Sequence, residues 1–142
     1  MESKKEITKN LLANSFKKLI LDIPFKNITI KMITDKSKVI RPTFYHHFKD
    51  KYEVLEYIVD EDIMKNIYEM VDSDMEYESL KIIFIRLEKN REFIKKAFKV
   101  EGQNSFKEIL GYKIYNIFIR IIDKHELNEL YYSNVLTKEN MA

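Results

Sequence analysis

Between residues 38 and 51 the chain reads KVIRPTFYHHFKDK, a stretch whose side chains could do several kinds of chemistry. His46 and Asp50 stand four apart, which would set two metal ligands on one face of a helix. A catalytic zinc needs three protein ligands and a structural one four. His47 points about 100° away from His46 around a helix. His125 lies far along the chain, and no HExxH cluster is present. Neither a metal site nor a cofactor is expected. No nucleophile stands beside a base and no glycine-rich phosphate loop occurs, so the chain does not read as an enzyme. What remains is a group of cations and hydroxyls. Arg41 can fork onto a guanine and Thr43 can touch a thymine methyl, while Tyr45 and the lysines are natural partners for phosphate.

These side chains need a scaffold, and the flanking sequence supplies helices. Ile7, Leu11, Leu12, Phe16, Leu19, Ile20 and Ile23 recur at the three-and-four spacing of one helical stripe. Pro24 ends that run, because the residue before a proline is pushed out of the helical region. Thr29 is a good N-cap for a short helix to about Ser37, with Ile30 and Ile33 on its buried side. After a tight turn at KVI, a second short helix runs from about Arg41 to Phe48, with Pro42 suited to its first turn. Two short helices about a tight turn, packed on a longer first helix, make a helix-turn-helix. A helix this short cannot stand alone. Phe44 and Phe48 are four apart and are expected to anchor it on Leu12, Phe16 and Ile33.

Beyond Lys51 the pattern Tyr52, Leu55, Ile58, Val59, Ile63, Ile67, Met70 and Val71 predicts one helix of about 20 residues. Further helices are expected around Leu80–Leu87, around Phe93–Phe98, and over SFKEILGYKIYNIFIRIID. A last one begins at HELNELYYSNVL and stops in TKENMA. No strand pattern competes, so the fold class is all-α. The chain divides at residue 50 into an N-terminal module, 1–50, and a helical C-terminal region, 51–142.

Charge divides at the same place. Residues 1–51 carry 12 lysines and arginines against 5 acids, and residues 52–142 carry 13 against 18. A basic end on an acidic body hints at nucleic-acid binding. The absence of cysteine excludes disulfides, thiol catalysis and cysteine-bound zinc. Two glycines and two prolines are too few for a turn-rich β-sandwich. The N-terminal MESKKEITKN has no apolar signal region, and no run approaches a membrane span, so a cytoplasmic location is expected.

The capping Thr29, the short helix, the tight turn and RPTFYHHFKDKYEVL together resemble the DNA-binding end of the TetR family of bacterial transcriptional regulators. Thr43, Phe44, Tyr45, His47, Phe48 and Lys51 fall on the family's pattern in register. The resemblance implies a sequence-specific regulator whose operator is double-stranded DNA. Thr29, Tyr45, His46 and Lys51 would touch the DNA backbone, with Lys31, Lys38, Arg41, Pro42, Thr43 and Lys49 completing the contact set. Half-buried packing is the alternative for Tyr45, and His47 either packs or faces a phosphate. The family holds a small-molecule inducer in its C-terminal region. Phe84, Phe98, Tyr112 and Tyr115 are the pocket candidates, although aromatics at helical spacing also suit plain core. The helix through GYKIYNIFIR, apolar nearly all round, is expected to be central.

Three features depart from the family. Lys38 stands where glycine is usual in the turn, and Ile40 where a serine usually caps the second helix. A branch resembling the regulators of dihydroxyacetone-kinase operons, some of which act as coactivators with a protein partner, tolerates such turns. The family's last two helices usually form a four-helix bundle with a second subunit, implying a homodimer. Here the chain ends as the first of them begins, so either the form is shortened or dimerisation uses another surface. The competing reading is a coactivator that keeps the fold and binds a protein partner, with weak or no DNA binding.

Overall fold

In the computed structural model, which describes residues 1–140, the chain is all-α, and no strand occurs among the described residues. Helix α1 spans Lys4–Asp22. A 3-10 turn at Phe25–Asn27 leads to α2 (Ile30–Ser37) and α3 (Arg41–His47). The body follows with α4 (Lys51–Val59), α5 (Ile67–Asp72), α6 (Glu76–Lys89), α7 (Arg91–Ala97) and α8 (Phe106–Asn140). Helix starts follow capping chemistry. Ser3 and Glu6 form a reciprocal capping box on α1, Thr29 caps α2 by accepting from the Met32 N–H, and Asp50 caps α4 by accepting from the Glu53 N–H.

One apolar core runs through the N-terminal module and the body. Leu12, Phe16, Ile33 and Phe44 are fully buried in it together with Val54, Leu55 and Ile67, and Phe48 is almost so. The two anchors of α3 therefore pack as expected, with their rings 5.7 Å apart. The stripe on α1 narrows at its start. Ile7 and Leu11 are exposed, while half-buried Lys9 lays its ammonium over the rings of Phe48 and Tyr57.

The single helix expected from Lys51 to about residue 72 is broken. A π-helical turn occupies Asp60–Met64, and Asn66 takes the left-handed conformation at φ 64° before α5 begins. Apolar spacing misses the break because both pieces face the same core. The disruption frees backbone carbonyls, and Arg86 on α6 takes up two of them, donating from Nη1 to Ile63 O at 2.8 Å and Lys65 O at 2.7 Å. Lys17 on α1 ties down the same turn through Asp62 at 2.7 Å.

The two helices expected at the C-terminal end are one. Helix α8 continues through Asp123 and His125 without interruption to Asn140; Met141 and Ala142 of the TKENMA segment lie outside the described residues. Nor is α8 central. Phe106, Leu110 and Ile117 face the core, while Tyr112, Tyr115, Phe118, Ile119 and Ile122 face outward. Ion pairs fasten its inner side: Lys113 to Asp60 at 2.7 Å, Arg120 to Asp72 through two hydrogen bonds, and Lys124 to Asp74 at 2.5 Å. The Arg120 guanidinium holds the Asp72 carboxyl below its ordinary range. Beyond Lys124 the helix runs on with Leu127, Leu130, Tyr131 and Leu136 exposed. None of the helices among the described residues is long and apolar enough to cross a membrane.

Candidate nucleic-acid interface

Helix α3 is only seven residues long and has no side-chain cap, so its neighbours must set its position. Phe44 and Phe48 fix its inner side, and whatever lies opposite faces outward. Arg41, Pro42, Tyr45 and His46 are exposed on α3, with Lys38 and Lys49 exposed at its two ends and Thr43 half-buried. Lys31 and the capping Thr29 are exposed on α2 beside it. Of the ten expected contact residues, eight are thus exposed on or beside this helix pair, and Thr43 and Lys51 are half-buried.

The details sort these residues by how free they are. The Arg41 guanidinium lies 5.7 Å from the Tyr45 ring centre and has no ion-pair partner among the described residues. Lys31 is paired with Asp35 at 2.7 Å, both exposed, a contact that solvent weakens to little net worth. Lys51 is placed differently from the others. Its ammonium donates to Phe25 O at 2.5 Å and Ile28 O at 2.9 Å and lies over the Phe25 ring. Burial pushes its pKa down. Two of its three N–H groups are therefore spent holding the loop that enters α2, and one is left for an outside ligand.

The turn carries a strain that the sequence foretold. Lys38 sits at φ 58°, ψ 35°, the left-handed region, and closes α2 through its own N–H and that of Val39, which donates to Thr34 O at 3.0 Å. A residue with a side chain costs about 1 kcal/mol or more there, while glycine does not. Lys38→Gly is expected to raise stability by ~0.5–1 kcal/mol, since glycine's greater freedom when unfolded returns part of the gain. A urea midpoint no higher than that of the parent protein would refute this.

Ile40 was missed. At the N-cap of α3 it offers no acceptor, yet it is 69% exposed and adjoins Arg41 in the chain. A large apolar side chain left in solvent beside Arg41 suits contact with a thymine methyl. The signal was present in the sequence as an isoleucine where a cap should be.

Asp50 cannot serve freely as a ligand beside His46, because its carboxylate caps α4 at 3.0 Å from the Glu53 N–H. His47 is half-buried with its Nδ1 unpartnered. Burial, then the charges of His46, Lys5 and Lys9, hold its pKa below the ordinary histidine value. The folded chain therefore favours neutral His47, so stability is full above about pH 6.5 and falls as pH drops from there through the lowered folded value. Urea melts at pH 8 and pH 5.5 should show a larger loss for the parent than for His47→Gln. Equal losses would remove His47 from the account.

The expected inducer pocket is not assembled from its four candidates. Phe84 is 71% exposed, Tyr112 67%, Tyr115 60% and Phe98 41%. Helical spacing identified aromatic faces but not which way they turn, and three of the four residues point away from the core. Phe98 rests its edge on buried Phe106, their ring centres 5.5 Å apart.

Comparison with known proteins agrees with this geometry. Residues 17–58, from mid-α1 to the end of α4, match the family described as bacterial regulatory proteins, tetR family. Over 132 residues the chain is 25% identical to the HTH-type dhaKLM operon transcriptional activator DhaS of Lactococcus lactis, covering 93% of this chain and 70% of that protein. No solved structure matches the chain. The chain carries at its N-terminus the helix-turn-helix of the tetR family of bacterial regulatory proteins.

Proposed function

We propose that the chain is a transcriptional regulator that binds duplex DNA by laying α3 in the major groove. The observation that carries this is the surface around Arg41. Arg41, Tyr45 and His46 are exposed on a helix anchored by buried Phe44 and Phe48, with Lys38 and Lys49 exposed just beyond its two ends. Arg41, Thr43 and Ile40 are the base-reading side chains at the start of α3. Thr29, Lys31, Lys38, Pro42, Tyr45, His46, Lys49 and the free N–H of Lys51 lie against the backbone and fix register. The relative's name supports a role at an operon and, by its wording, activation.

A second copy of the chain is the expected companion. The outward face of α8, with Tyr112, Tyr115, Ile119 and Ile122, is apolar over about three turns. Such a continuous patch on a soluble surface marks an interaction site. Two copies joined there would present two recognition helices to two half-sites. The same face favours the second reading, a coactivator that docks a different protein and touches DNA weakly.

A footprint on the DNA upstream of the chain's own gene, at two salt concentrations, separates these readings. A protected site that weakens steeply with salt, symmetric about its centre, is expected for the dimeric DNA reader. No protection at low salt would remove DNA binding and leave the coactivator reading.

A further inference from the structure

Where α1 ends against α7, a cleft of about 680 Å³ opens between the N-terminal module and the body. One wall is the last turn of α1 with Pro24, the 3-10 turn and the first turn of α4, and the other is the last turn of α7 with the turn that follows it. None of the aromatic residues expected to form a pocket lines it. Ligand pockets of about 300–1,000 Å³ hold whole small molecules, so this space is too large for a lone ion.

Its chemistry is two-sided. Ile20 and Val100 are buried at the apolar part, beside the half-buried rings of Phe25 and Tyr52, which meet edge to face at 4.9 Å. Lys26, Lys96 and Lys99 stand exposed on the walls with no acid partner among the described residues. With Lys51 they make four lysines against two acids, Asp22 and Glu101. That excess of positive charge suits an anionic group at the polar end of the cleft.

We propose that this cleft binds a small amphipathic carboxylate, its apolar chain against Ile20, Val100 and Phe25 and its carboxylate held by Lys96 and Lys99. Lys51 gives the site a route to the helix-turn-helix. Lys51 lines the cleft while its ammonium holds Phe25 O and Ile28 O, and Ile28 leads directly into Thr29, the cap of α2. A carboxylate that draws Lys51 toward the cleft loosens that hold and alters how α2 and α3 sit. This last step rests on the DNA-binding reading. The binding itself does not.

The test uses the full chain, labelled with nitrogen-15 and titrated with octanoate. Amide shifts are expected within residues 20–26 and 96–101, with octanamide at least tenfold weaker because it lacks the charge. Lys96→Glu with Lys99→Glu should weaken octanoate at least tenfold, and both positions are exposed, so folding is spared. Lys89→Glu, in the neighbouring cleft beside α7, should leave it unchanged. Equal affinity for octanamide, shifts confined to the outer face of α8, or no shifts at millimolar octanoate would each overturn the site. Affinity for random duplex DNA, measured with and without octanoate, should differ threefold or more. An unchanged value, with octanoate bound, would overturn the link through Lys51 and leave the site standing.

Discussion

Phe44→Ala should cost ~3–5 kcal/mol and unfold the N-terminal module under conditions in which the parent protein is stable. Phe44 is wholly buried, and its ring packs edge to face with Tyr45 and tilted against Phe48 at centre distances of 5.4 and 5.7 Å. Helix α3 has little else to hold it: seven residues, no side-chain cap, and a turn with a strained lysine before it. A domain of this size has about 5–15 kcal/mol in total, so the loss is about a fifth or more of what holds the chain folded. The control stands next door. Tyr45 is exposed, so Tyr45→Ala should move stability by less than ~0.5 kcal/mol while weakening DNA binding. Denaturant melts followed by circular dichroism would decide the matter. A loss under 1 kcal/mol for Phe44→Ala would mean that α3 is held by something other than its apolar side.

The N-terminal module was legible because its signals are local. Pro24, Thr29 and Pro42 mark helix ends by their own backbone chemistry, and the four-residue step from Phe44 to Phe48 fixes which side of α3 turns inward. The body was less legible because its decisive features depend on partners distant in sequence. The break at residues 60–66 persists because Arg86 arrives from α6 to take the freed carbonyls, and nothing near Asp60 announces that. Likewise α8 looks central in sequence, since Tyr112, Phe118 and Ile122 are as apolar as Leu110 and Ile117. Only the packing of α4 and α5 on one side of it distinguishes the two sets. The resemblance carried Lys51 to phosphate, whereas the structure spends most of its donors inside. A lysine's type and position give its charge, not the direction in which a four-carbon stem lays it.

Arg41→Ala should act on choice of sequence more than on binding as such. Arg41 is exposed in the first turn of α3, free of any acid among the described residues and poised over the Tyr45 ring, where its fork is available to a guanine edge. Removing it should cost ~1–3 kcal/mol at the preferred site, about 5- to 150-fold in affinity, and considerably less on random duplex. Lys49 offers the contrast. It is a single exposed charge beyond the end of α3, so Lys49→Ala should weaken all sequences alike and make the salt slope shallower by ~0.9, one phosphate's worth. The preferred site would come from selection out of a random pool, and both variants would be titrated on it and on scrambled DNA at two salt concentrations. Were Arg41→Ala to lose equally on both DNAs with a shallower slope, Arg41 would be a phosphate ligand. Base reading would then rest on Thr43 and Ile40, the remaining side chains at the start of α3 able to touch a thymine methyl.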